Sequence, residues 1–223
     1  MVSRERPRRR RGKEDSDSLL NILGVTSFEC LHEPLTASVD QGESVLIKGV
    51  HSKDVLSLMK IVAGVIPPTA GVVTVLGARC NSPEGRSVVS SFGGSMGPYL
   101  GATLLQNLLL YQGVLEDWSS RNSRANEVIE EFDLMSLKGA TLRTFNSEEL
   151  SLAKFACFYI QRARLSCMFD QIDLEKIDNI SRVAEGLANL RSQGRTFLWI
   201  SLPSFLRESA TKELVLEPKS AKG

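Results

Sequence analysis

The chain has 223 residues, of which 42% are hydrophobic, and its 27 Lys+Arg and 26 Asp+Glu leave a net charge of +1. That length and apolar fraction suffice for one sizeable core and a small satellite lobe, and the balanced charge gives no global field to draw nucleic acid or a membrane. No apolar run approaches the roughly 20 residues that span a bilayer, and no signal-peptide pattern opens the chain.

Residues 1–18 include SRERPRRRRGKEDSDS, which is basic, then acidic and serine-rich, with almost nothing apolar before Leu19. Such a segment has too little to bury to offset its ordering entropy, so a disordered, solvated tail is expected. Arg8 to Arg11 could touch anionic lipid or a partner's acidic face. From Leu19 the chain reads as alternating strands and helices. VTSFECL and TASVD are extended candidates, and the Gln41-Gly42 turn feeds an apolar strand from Ser44 to Ile47. Asp54 to Val62 has helical spacing at Val55, Leu58, Met59 and Val62, with Gly64 as its stop. Pro67 to Gly71 reads as a turn, and VVTVL as a β-branched strand ended by Gly77.

SFGGSMGP then reads as a flexible link into a helical region that includes Thr103 to Tyr111 and Ser123 to Leu134. FNSEELSLAKFACFYIQ opens with a capping candidate, Asn146 or Ser147, followed by acidic residues. Leu165 to Asp170 reads as a buried strand, about Lys176 to Gln193 as a helix, and Phe197 to Ser201 as a last strand. Apolar strands alternating with helices predict an α/β domain built on a parallel sheet. Cys30, Cys80, Cys157 and Cys167 show no C-x-x-C spacing, and His32 and His51 are the only histidines. No zinc site is expected, and buried free thiols of a cytosolic protein are the simpler reading.

Taken in order, the landmarks are GESVLIKG, LMKIVAGVIPPTAGVVTVLG, a helical insert, TFNSEELSLAKFACFYIQ, LSCMFDQ and GRTFLWIS. They resemble the ATP-binding domain of ABC transporters over nearly the whole ordered length. LRTFNSEELSLAKFA, preceded by ANEVIEEFDLMSL, is most similar to the capsular-polysaccharide and O-antigen exporters. The resemblance implies an ABC-type P-loop NTPase (RecA-like) core within residues 19–218, a small antiparallel β-subdomain, and a helical subdomain over about 95–160. It also implies a head-to-tail homo- or heterodimer with another ABC domain, a membrane permease partner, and ATP with Mg²⁺ as ligands.

The nucleotide motifs depart from that pattern. A phosphate loop needs G-x-x-x-x-G-K-[ST], because glycines expose backbone N–H groups and the lysine neutralises phosphate. Counted back from Val62-Ala63-Gly64, the first glycine is Gly49, and Ser52 falls inside the loop. The second glycine falls on Asp54, the lysine on Val55 and the magnesium-binding hydroxyl on Leu56; Lys53 comes two residues early and Ser57 one late. A carboxylate about 4 Å from a phosphate oxygen would repel it by roughly 4 kcal/mol at an effective dielectric near 20. Lys53 and Asp54 read better as an exposed helix start, where Asp54 suits the N-terminal dipole.

By the same resemblance Asp170 stands where the family's magnesium-orienting acid does, and Gln171 replaces its general base. An amide cannot accept a proton near pH 7, so no catalytic residue is assigned. Gly94 occupies the coupling-glutamine position, and Leu202 the histidine position after the last strand. Phe28 remains as an adenine-stacking candidate, although a core role suits it as well. In the signature segment Asn146, Ser147 and Glu148, followed by Glu149, replace the serine and glycines that approach the opposite subunit's ATP.

The expected function is therefore a degenerate, non-hydrolysing ABC ATP-binding-subunit-like protein, a structural or regulatory partner in a polysaccharide-export-type transporter. It would be cytoplasmic, held at the inner membrane's cytoplasmic face through a permease, with no cofactor, metal or nucleic acid. One alternative is a working ATP-binding subunit that uses Lys53 and other unconventional contacts with ATP and Mg²⁺. Another is an interaction module no longer serving transport.

Overall fold

A computed structural model describes residues 18–27, 33–49, 52–92, 97–112, 118–169, 180–200 and 210–216. In chain order these form β1 (Ser18–Thr26), β2 (Leu35–Asp40), β3 (Ser44–Gly49), α1 (Ser52–Val62), β4 (Ala70–Val75), β5 (Ala78–Arg79), α2 (Pro83–Val88) and β6 (Val89–Phe92). There follow α3 (Leu104–Tyr111), α4 (Trp118–Glu131), α5 (Ser147–Tyr159), β7 (Leu165–Met168), α6 (Ile180–Ser192), β8 (Thr196–Trp199) and β9 (Lys212–Leu216). Two 3₁₀ turns, Met135–Leu137 and Leu142–Thr144, join α4 to α5.

The strands make two sheets. An antiparallel sheet has the order β2-β1-β4-β5, and a parallel sheet the order β6-β7-β8-β3-β9. The parallel sheet divides the interior because successive strand residues face opposite sides. Val45 and Ile47 of β3, Leu165 and Cys167 of β7 and Leu198 of β8 join one core, with α1 and the antiparallel sheet. Their neighbours Leu46, Met168, Phe197 and Trp199 join a second core, with α3 to α6. Strands buried on both faces are the signature of a parallel sheet covered by helices. The α/β architecture and its parallel sheet thus agree with the sequence.

Several boundaries differ, each for a local reason. β1 begins at Ser18, within the expected tail, and Ser18 Oγ donates to Asn21 Oδ1 at 2.7 Å. Its adjacent Leu19 and Leu20 are both buried, and its register shifts around Gly24, so the alternation that marks a strand is broken. α4 starts at Trp118, five residues before the expected Ser123, because its polar first turns carry no apolar period. Short α2 went unforeseen; Ser82 caps it by accepting from Gly85 N at 3.1 Å, and Pro83 opens it. Ser91 and Phe92, read as part of a flexible link, belong to β6 and pair with β7. β9 was also unforeseen, and pairs with β3 from Val45↔Lys212 to Gly49↔Leu216. Gly64 ends α1 as expected, at φ +69°, where an added Cβ would lie 2.3 Å from the Cys80 carbonyl oxygen.

Candidate functional site

The β3–α1 junction is where a phosphate berth would be built. β3 ends at Gly49 and α1 begins at Ser52, so only residues 50 and 51 separate strand from helix. Asp54 lies in the first turn of the helix as its spacing predicts, and Ser52 and Lys53 lie there with it, two residues ahead of the expected start. Among the described residues of this junction, the backbone from Ser52 onward is helical rather than an open run of N–H groups that would wrap a phosphate chain. Ser52 and Lys53 are exposed, and Asp54 is half-buried in the first turn, where its charge complements the helix dipole.

Val55, at the lysine position, is 3% exposed and belongs to the core beneath the antiparallel sheet. Its burial follows from helical spacing, since Val55, Leu58, Met59 and Val62 share one face. A Cβ built on Gly49 would stand 2.9 Å from Val55 Cγ2, so this methyl occupies the space beside the glycine. Ser57 is 5% exposed, with its Oγ 3.0 Å from Ser27 Oγ just past β1. Its hydroxyl is satisfied inside the core. Leu56, at the magnesium-hydroxyl position, carries no oxygen and is 36% exposed. The described residues do not fit a triphosphate with its Mg²⁺. To the charge of Asp54 the structure adds a buried aliphatic side chain at the lysine position and a spent hydroxyl.

The N-terminus of α5 is closed by its own side chains. Asn146 Oδ1 accepts from Glu149 N at 2.9 Å, and Glu149 Oε2 accepts from Asn146 N at 2.9 Å. This reciprocal capping box occupies donors that would otherwise face outward. Ser147 opens the helix, its carbonyl accepting from Ser151 Oγ at 2.9 Å. Glu148 and Glu149 put two carboxylates into the first turn. Neutralising the dipole in this way leaves an anion little to gain.

Phe28, Gly94, Asp170, Gln171 and Leu202 lie outside the described residues. Of the remaining predicted positions, the structure gathers Gly49, Ser52, Lys53, Asp54 and Ser57 at one strand–helix junction, and Asn146, Ser147 and Glu148 at one helix start. Among the described residues no group of three or more His, Cys, Asp or Glu could hold a metal. Cys80, Cys157 and Cys167 are buried free thiols, all shifted upward chiefly by burial.

Two features escaped the sequence reading. Ser27 had no signal as the partner of Ser57, because 30 positions separate them. Arg195, next to Gly194, is 4% exposed. Its Nε donates to Ser166 Oγ at 2.8 Å, and Nη1 and Nη2 donate to the carbonyls of Tyr159 and Phe158, both at 3.2 Å. Its guanidinium carbon lies 5.0 Å from the Phe158 ring centre. Burial brings its pKa down to about 9. The cation caps the negative end of α5 and is a structural group.

Several solved structures share this architecture. An ATP-binding subunit of an ABC transporter superposes with a TM-score of 0.72 at 19% identity, covering 89% of this chain and 86% of the other. A dimeric ATP-binding cassette in a post-hydrolysis state, bound to ADP and Pi, gives 0.72 at 15% identity, covering 90% and 96%. Clostridium perfringens cbiO1, part of the ABC transporter complex cbiONQ, gives 0.65 at 12% identity, covering 90% and 79%. At such identities the likeness establishes fold. The chain has the α/β P-loop NTPase fold of ABC transporter ATP-binding cassettes. No protein-family model matches the sequence, and comparison with curated proteins finds no match. No helix among the described residues is long and apolar enough to cross a membrane.

Proposed function

We propose that this chain is a non-hydrolysing relative of ABC ATP-binding subunits, acting as a structural or regulatory partner in a polysaccharide-export-type transporter. The observation that carries the reading is Val55 seated against Gly49, in a helix that has absorbed the phosphate loop. The capping box of α5 supports it from the other half-site, because an ATP held by a dimer partner would meet a helix start whose N3 donor is already used. The polysaccharide-export assignment is supported by the likeness of LRTFNSEELSLAKFA to that subgroup's signature segment.

A dimer partner of ABC type and a permease follow from the same resemblance. One of the superposed cassettes is a dimer, and cbiO1 is part of a transporter complex. Tyr99, Leu100, Leu110 and Trp118, in and beside the helical insert, are large apolar side chains left exposed, as a docking face for a permease would require. Placement at the cytoplasmic face of the inner membrane, with Arg8 to Arg11 against anionic lipid, completes the reading.

Titration of the purified chain with a labelled ATP analogue and Mg²⁺ tests it. No saturation is expected below millimolar; saturation in the micromolar range would overturn the proposal. A second reading, a working ATP-binding subunit, is favoured only by Lys53, an exposed cation in the first turn of α1. It requires turnover of ATP that Lys53→Ala abolishes. The third, an interaction module apart from transport, requires that the chain fail to co-purify with any permease encoded beside it.

A further inference from the structure

Tyr159, the last residue of α5, is 1% exposed and is held at both its hydroxyl and its carbonyl. The hydroxyl donates to Glu131 Oε1 of α4 at 2.6 Å and accepts from Asn189 Nδ2 of α6 at 2.7 Å. Asn189 is steadied in turn, its Oδ1 accepting from Gln193 Nε2 at 3.0 Å. The carbonyl accepts from Arg195, which also binds Ser166 in β7 and leads directly into β8. One residue thus joins the insert helix α4, the crossover helix α6 and the parallel sheet.

Packing reinforces the joint. The Phe132 ring meets those of Tyr159 and Phe155 edge-on, at 5.1 and 5.4 Å between centres. These three rings close over Gly186 of α6. A Cβ added there would stand 3.2, 3.3 and 3.4 Å from Phe155, Phe132 and Tyr159 respectively. The Arg124 guanidinium carbon lies 5.7 Å from the Tyr159 ring centre, and Arg182 Nη1 of α6 is 3.5 Å from Asp133 Oδ2 just beyond α4. The last of these is exposed and adds little. The aromatic cluster carries most of the contact, since dense packing penalises separation, and the hydroxyl of the buried Tyr159 ties its edge to Glu131 and Asn189, whose own side chains lie at the surface.

We infer that Tyr159 locks the helical insert onto the sheet, so that the two open as one cooperative unit. A load placed on the insert by a partner then passes into the sheet rather than being absorbed at a hinge. This follows from the joint alone and is independent of whether nucleotide binds.

Native-state hydrogen exchange on the full chain across a denaturant series tests it. In the unsubstituted protein the slowest amides of α4 are expected to share one opening free energy, and one denaturant dependence, with those of β3 and β8. In Tyr159→Phe, which keeps the ring, α4 amides should exchange about tenfold faster, with the sheet amides following, because both report the same opening. Glu131→Gln retains an acceptor for the hydroxyl and should change exchange far less than Glu131→Ala. An α4 that opens well below the sheet in the unsubstituted protein overturns the single unit. Unchanged exchange in Tyr159→Phe, or equal effects of the two Glu131 substitutions, overturns the role of the hydroxyl.

Discussion

Val55 packs against Gly49: a Cβ on Gly49 would come within 2.9 Å of Val55 Cγ2 and 3.4 Å of Leu216 Cβ. Gly49→Ala should therefore cost about 1–3 kcal/mol through overpacking. The cost should shrink by about 1 kcal/mol or more when Val55 is already Ala, because the nearer obstacle is then gone. Urea unfolding of the four variants of this cycle measures the coupling. Equal costs in both backgrounds would show that Val55 does not fill the space beside the glycine.

Ser27 and Ser57 form a buried hydroxyl pair at 3.0 Å. Removing either partner strands the other, so Ser27→Ala and Ser57→Ala should each destabilise by about 1–3 kcal/mol. The double substitution removes both polar groups and should be milder than the sum of the singles. Additive singles would mean that the hydroxyls do not rely on each other.

At the start of α5, Asn146→Ala should cost about 1 kcal/mol, and Asn146→Gly only a few tenths. Glu149→Gln can still accept from the Asn146 N–H, whereas Glu149→Ala cannot, so the alanine should be the more destabilising of the two. Thermal unfolding with matched controls distinguishes these outcomes. A reversed order at either position counts against the capping box.

Cys157 and Cys167 are fully buried, and burial raises both thiols above their ordinary value of 9.0. The folded chain keeps these protons while the unfolded chain releases them above pH 9.0. Their contribution to stability is thus complete below that pH and is lost as pH rises through the alkaline range. Each thiol should remove about 1.4 kcal/mol per pH unit there. Urea midpoints at pH 8 and pH 10.5 under reducing conditions should fall less steeply in a Cys157→Ala, Cys167→Ala variant than in the parent. Parallel slopes would show that the buried thiols do not drive the loss.

The core of α1 was legible in the sequence because its signal lies within a few residues. Val55, Leu58, Met59 and Val62 repeat at helical spacing, and Gly64 supplies the left-handed stop. The strands at Ser44, Leu165 and Thr196 were legible as short apolar runs, and their alternation with helices implied the parallel sheet. Asn146 was readable as one of two caps; backbone geometry selected it, because its side chain reaches the N3 amide. β1, β9 and the early turns of α4 were not legible, since their residues show neither clean alternation nor apolar periodicity.

The site divided along the same line. The absence of a lysine and a second glycine at the phosphate loop is a property of residue order, and the sequence alone determined it, together with the order of strands and helices. Only the tertiary structure decided what took their place. Val55 abuts the end of β3, Ser57 finds Ser27 across 30 positions, and Tyr159 meets Glu131 and Asn189 from 28 and 30 positions away. Local patterns arise from neighbours a turn or a pleat apart. Contacts between distant residues exist only once sheets and helices have packed, because packing density and the pairing of buried polar groups choose which side chains meet.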